Sequence, residues 1–147
     1  MQLTKKSSYG LIVILELATR KTGQPTTAKT IADKYSFPFA FVEKILHQLR
    51  KAGLVTARKG RGGGYFLSLD PETSTVLHIL EALEEPLDLV GCLRSGNTCR
   101  SMALCPTKAM WQTIDHRFKT LLDSLTLASL LGSAELSRPP VLDEKSA

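Results

Sequence analysis

Three apolar-patterned segments joined by short turns, a glycine-rich basic hairpin and a longer heptad-patterned segment predict a mostly α fold with a small β-hairpin wing. In outline this is a winged helix-turn-helix followed by a long C-terminal dimerisation helix. With 147 residues, 43% apolar and 22% charged, the chain has the size of one compact domain with an appendage, which excludes disorder, collagen and a large multidomain enzyme. Its longest apolar stretch, Leu11 to Ala18, is interrupted by Glu16 and falls far short of the roughly 20 residues needed to cross a bilayer, so no membrane partner is expected. Thr19-Arg20-Lys21 follows it where a signal peptide would carry small residues, and a cytoplasmic chain is expected. Three cysteines cannot all pair within one chain, which points to a metal or redox role in a reducing compartment.

The first helix is expected over Lys6 to Thr19, with Tyr9, Ile12, Val13, Leu15, Leu17 and Ala18 in the core and Thr22-Gly23-Gln24-Pro25 as its stop. Thr26 or Thr27 then caps a second helix, Ala28 to Tyr35, ended by Ser36-Phe37-Pro38. Pro38 suits the first turn of a third helix that runs to about Ala52 and stops at Gly53. Val42, Ile45, Leu46 and Leu49 form its core stripe. Phe41, Lys44, Gln48 and Lys51 line the opposite face, flanked by Ala40, Glu43, His47 and Arg50. A short helix, a turn and a longer helix with a basic, amide-bearing outer face is the arrangement that places its second helix in the DNA major groove.

Leu54 to Ala57 and Tyr65 to Leu69 read as two strands joined by Arg58-Lys59-Gly60-Arg61-Gly62-Gly63-Gly64. Glycine lets the backbone turn and approach closely, and Arg58, Lys59 and Arg61 around Gly60 suit a narrow, negative minor groove. The order needed for a phosphate loop between strand and helix is absent. Charge agrees with this reading. Residues 1 to 69 carry twelve Lys or Arg against Glu16, Asp33 and Glu43, a balance of +9, whereas residues 70 to 147 total −4.

Met1-Gln2-Leu3-Thr4-Lys5, Leu49-Arg50-Lys51-Ala52-Gly53-Leu54-Val55 and Gly60-Arg61-Gly62-Gly63-Gly64-Tyr65, followed by three closely spaced cysteines, resemble the Rrf-two family of bacterial winged-helix regulators (IscR/NsrR/RirA-like) over roughly residues 1 to 131. The resemblance implies a homodimeric transcription factor that binds a double-stranded DNA operator under the control of an iron-sulfur cluster. It also implies that Glu43 takes part in choosing the class of DNA site when the cluster is absent.

Cys92-x6-Cys99-x5-Cys105 is the metal-ligand candidate. The spacing alone does not separate an iron-sulfur cluster from zinc, a thiol switch or inert thiols. Where the resemblance implies a histidine ligand three residues after the last cysteine, this chain has Lys108, a cation at ordinary pH and a poor ligand. In other members the resemblance implies an aspartate near the N-terminus of the partner subunit, and Ser8 stands at that place as a candidate fourth ligand. Ser7, His47, His78, His116 and Asp115 are further options. Three Cys without His lean toward a four-iron cluster over a two-iron one.

Thr75 caps a helix reaching about Glu84, with Val76, Ile79, Leu80 and Leu83 inward. Trp111, Ile114, Phe118, Leu121 and Leu125 are spaced as a heptad-like seam suited to pairing two copies, and a last short helix follows from Thr126 to Leu131. The expected organisation is a DNA-binding domain over 1–84, a cysteine loop over 85–105, the dimerisation and terminal helices over 106–131 and a flexible tail over 132–147. No nucleophile elbow, H-E-x-x-H or triad ordering is visible, and an enzyme is not expected.

Overall fold

The computed structural model of the chain describes residues 4–20, 24–94, 96 and 99–136. Its helices are α1 (Lys5–Ala18), α2 (Ala28–Tyr35), α3 (Phe39–Lys51), α4 (Val76–Ala82), α5 (Lys108–Ser124) and α6 (Leu127–Leu136), and its strands are β1 (Val55–Arg58) and β2 (Gly64–Leu67). The predicted mostly helical class with one hairpin is what the chain adopts.

Hydroxyl caps set the helix starts. Thr27 accepts from the Thr30 amide at 3.1 Å and Thr75 from the His78 amide at 3.2 Å, each satisfying a donor that the helix itself leaves open. Thr4 does the same for α1. Pro38, expected inside the first turn of α3, occupies the N-cap position just before it. Gly53 ends the unit at φ +80°, while the Leu54 amide returns to the Leu49 carbonyl at 2.9 Å, a left-handed stop that a side chain would strain.

The core of the winged unit gathers Val13, Ile14 and Leu17 of α1, Ile31 and Ala32 of α2, and Val42, Ile45, Leu46 and Leu49 of α3. Ile12 and Leu15, expected inside, are only half-buried, and Glu16 takes a buried place instead, its side chain 3% exposed. That carboxylate is matched by Arg20 at 2.8 Å, Lys34 at 2.6 Å and the Tyr35 hydroxyl at 2.8 Å, which ties α1 to α2. Burial alone would push its pKa up. The hydrogen bonds from Lys34, Tyr35 and Arg20 outweigh that and hold it below the usual carboxylate value.

The hairpin pairs Val55 with Leu67 through Arg58 with Gly64. A third segment joins it. Thr26 exchanges both backbone hydrogen bonds with Tyr65, at 3.1 and 2.8 Å, so the connection before α2 lies along β2. Gly64 is required there, because a Cβ would stand 2.8 Å from the Thr26 carbonyl oxygen.

Helix α4 ends at Ala82, two residues sooner than expected, and is buried on two sides. Ile79 joins the winged core, together with Leu83 just beyond the helix, while Val76 and Leu80 form a second cluster with Leu87 and Leu122. The turn between α5 and α6 is stitched to the start of α4 by Val76 N–H to Leu125 C=O and Leu127 N–H to Ser74 C=O, both 2.8 Å. Helix α6 continues through Gly132 to Leu136, so residues 132–136 are helical where a flexible tail was expected; 137–147 lie outside the described residues.

Gly10 faces Leu83 so closely that a Cβ would sit 2.3 Å from Leu83 Cδ1. Gly10→Ala is expected to cost about 1–3 kcal/mol in denaturant unfolding, and less than the sum of the single costs when combined with Leu83→Ala. Glu16→Gln is expected to cost about 1–2 kcal/mol at neutral pH, because Arg20 and Lys34 lose a buried partner yet still reach solvent. A lowered folded pKa gives stability that is complete above the unfolded carboxylate value and is lost as pH falls through the folded one. The Tm difference between wild type and Glu16→Gln is therefore expected to close on acidification below about pH 4.

Candidate nucleic-acid interface and cysteine site

Because Val42, Ile45, Leu46 and Leu49 turn inward, α3 presents Ala40, Glu43, Lys44, His47, Arg50 and Lys51 to solvent. Phe41 differs from the expectation. It is half-buried, its ring edge-on to Tyr9 at 5.6 Å, while Tyr9 stacks on Phe37 at 3.8 Å. The aromatic group thus braces α3 against α1 and leaves Lys5 and Lys44 on the rim of a shallow groove. Gln48 is also half-buried, its amide donating to Glu84 at 3.4 Å.

On the wing, Lys59, Gly60 and Arg61 are exposed at the tip. Arg58 is held on the stem. Its guanidinium donates to the Gly62 carbonyl at 3.2 Å and lies 5.3 Å from the centre of the Phe66 ring. The exposed cations of α3 and the wing belong to the +9 half of the chain, the charge distribution that a phosphate backbone attracts.

The three cysteines come from a short 3-10 turn (Gly91–Leu93), the loop after it and the residues just before α5. All three are free thiols, and with Met102, Thr107 and Trp111 they line one pocket of about 100 Å³. Lys108 borders it, so the residue standing where the resemblance implies a histidine does reach this site. The Cys105 thiol lies 3.4 Å from the Thr107 hydroxyl; that contact and the amides of Thr107 and Lys108 hold its pKa below the ordinary thiol value. Among the described residues no three His, Cys, Asp or Glu side chains stand close enough together to hold a single metal ion.

The other ligand candidates lie elsewhere. Ser8 is exposed on α1, Ser7 is buried beside Thr4, His47 sits on α3, and His78 and His116 are exposed on α4 and α5. Asp115 is engaged: one oxygen accepts the Leu89 amide at 3.1 Å and the other pairs with Lys119 at 2.9 Å. Burial would raise its pKa, but the Lys119 ammonium and that amide hold it below the usual value. Lys119 also pairs with Asp88 at 3.0 Å, fastening the approach to the cysteine loop onto α5. Sequence reading missed this clamp because its three side chains are ordinary surface charges until the loop folds back.

The expected seam on α5 divides. Phe118 and Leu125 turn inward beside Leu122, and Trp111 lines the cysteine pocket. Met110, Ile114 and Leu121 remain exposed at 48%, 41% and 57%, on one face at spacings of 4 and 7. No helix among the described residues is long and apolar enough to cross a membrane.

A helix-turn-helix, a basic wing and a third segment paired to it define a winged-helix DNA-binding regulator. Residues 3–133 match the family model described as Rrf2, an iron-dependent transcriptional regulator, and the chain belongs to that family. It is 29% identical over 136 residues to the HTH-type transcriptional regulator IscR of Escherichia coli, covering 92% of this chain and 83% of that one. Among solved structures it is similar to CymR (YrzC), the global cysteine regulator of B. subtilis, with TM-score 0.73, 31% identity and coverage of 90% and 98%. IscR of T. potens superposes with TM-score 0.72 at 28% identity, covering 95% and 93%. The chain is accordingly a transcriptional regulator and not an enzyme.

Because Lys59 and Arg61 stand exposed at the wing tip, replacing each by Ala is expected to lower the slope of log K against log salt by about 1 per residue in a duplex-binding titration, with little change in Tm.

Proposed function

We propose that the protein is a cytoplasmic homodimer that reads a double-stranded DNA operator, with its binding controlled by an iron-sulfur cluster held by Cys92, Cys99 and Cys105. The observation that carries this reading is that all three cysteines line one pocket. Three thiolates are the soft donors that a four-iron or two-iron cluster takes, and by donor chemistry these residues suit that group. A remaining ligand comes from outside the pocket, and Ser8 supplied by the partner copy is the candidate. When bound, the cluster supplies a centre that oxygen, nitric oxide or iron scarcity can dismantle.

In this reading Ala40, Phe41, Glu43, Lys44, Gln48 and Lys51 form the major-groove face, with Phe41 acting as the brace that sets its tilt. Arg58, Lys59, Gly60 and Arg61 form the minor-groove wing. The exposed face of Met110, Ile114 and Leu121 pairs α5 with its counterpart, so that the two readers meet a pseudo-palindromic site. The Asp88–Lys119–Asp115 clamp joins the cysteine loop to that same helix, giving the state of the thiols a route to the spacing of the readers.

A second reading has its own support. The lowered pKa of Cys105, in a pocket that Cys92 and Cys99 also line, suits a thiol-disulfide switch without metal. Anaerobic purification from iron-supplied cells, followed by visible absorption and assay of iron and sulfide per chain, separates the two. The cluster reading expects a brown protein with matched iron and sulfide, bleached by Ser at Cys92, Cys99 or Cys105. The switch reading expects a colourless protein whose operator affinity changes on mild oxidation and is restored by reductant. Both fall if the triple Cys→Ser variant binds the operator as wild type does under reducing, oxidising and iron-replete conditions.

A further inference from the structure

Gln48 projects from the reading helix into a groove between α3 and the end of α4, where it meets Glu84. Glu84 has a left-handed backbone, φ +56°, at a position where a helix ordinarily carries glycine. The surrounding structure imposes it. The Glu84 amide bonds the Glu81 carbonyl at 2.9 Å and the Glu85 amide the Leu80 carbonyl at 3.2 Å, while the buried Glu85 carboxylate accepts the Thr4 hydroxyl at 2.5 Å. Leu83, on the other side, is locked under Gly10. A residue with a side chain therefore sits in a disfavoured conformation beside a proposed DNA-reading group, and an observed backbone outlier of this kind invites a functional account.

We infer that Glu84 is a positioning residue for base readout: its carboxylate fixes which end of the Gln48 amide faces the protein, and so presents the other hydrogen-bonding groups to adenine. This rests on the proposal that the outer face of α3 reads DNA. The chemistry follows from donor counting. An ionised carboxylate only accepts, so it takes a hydrogen from the Gln48 nitrogen and excludes the flipped amide. That leaves one N–H and the amide oxygen, the pair that meets N7 and N6 of adenine. Glu84 is also exposed and negative near the DNA face, so its charge opposes binding to every sequence alike. Such a residue lowers affinity uniformly while raising discrimination at one base pair.

The test uses the full chain. Selection by the wild type from randomised duplexes defines an operator, and affinities are then measured for duplexes substituted at each base pair in turn. Gln48→Ala is expected to abolish an adenine preference at one position of each half-site. Glu84→Gly, which suits the left-handed backbone and should keep or raise the Tm, is expected to weaken that preference about tenfold while tightening binding to all duplexes. Glu84→Gln removes the same charge but can face either end of the Gln48 amide, and is expected to weaken the preference likewise. With Gln48→Ala already present, Glu84→Gly should change the preference no further. The inference is overturned if either Glu84 variant keeps the wild-type base preference, or if Gln48→Ala keeps it. Failure of the underlying DNA reading is distinguishable, since the wild type would then select no operator at all.

Discussion

The structure hangs on a helix of only seven residues that is buried on two sides. Helix α4 sends Ile79, with Leu83 just beyond it, into the winged core and Val76 and Leu80 into the cluster beneath α5. It can approach α1 because Gly10 has no side chain where Leu83 rests. Isolated, so short a helix would not persist in water, and its stability comes from the two apolar surfaces it joins. The winged unit and the C-terminal helices are in this way one packed body rather than a reader with a loose appendage.

The α3 outer face and the cysteine loop both take their geometry from that joint. On one side, the chain leaving α4 passes Glu84 against Gln48 of α3 and fastens Glu85 to Thr4 at the start of α1. A few residues later, Asp88 and Leu89 are bound to Lys119 and Asp115 of α5, just before the turn that carries Cys92. The segment between α4 and the cysteines is thereby tied to α3 at one end and to α5 at the other. The largely buried Glu85 and Asp115 carboxylates make that span specific, because losing their donors would leave each of them desolvated.

The two carboxylates of this framework illustrate how burial and pairing decide charge. Glu16 and Asp115 would each be pushed toward neutrality by burial alone, and each is kept ionised by nearby ammonium or amide donors. One holds α1 to α2 and so fixes the orientation of the helix-turn-helix; the other holds the cysteine loop to α5. Neither was marked as structural in the residue pattern, since a carboxylate within an apolar run and another on a polar helix face look alike until their partners arrive.

Local chemistry accounts for what was legible in the chain. Thr27 and Thr75 capped where expected, Gly53 stopped α3, and the core stripe of α3 faced inward, because caps, left-handed stops and helical periodicity act over a few neighbouring residues. The glycine-rich basic hairpin likewise pointed to a wing. Tertiary packing decided the rest. It turned Phe41 toward Tyr9, split the α5 seam into an inner and an outer face, carried α6 past Gly132, laid Thr26 along β2 and engaged Asp115 with Lys119. Each of these depends on surfaces brought together from distant parts of the chain. The sequence by itself determined the elements and their chemistry, whose energetics are local; which face of each element was covered, and by what, was settled only when non-local burial outweighed local preference.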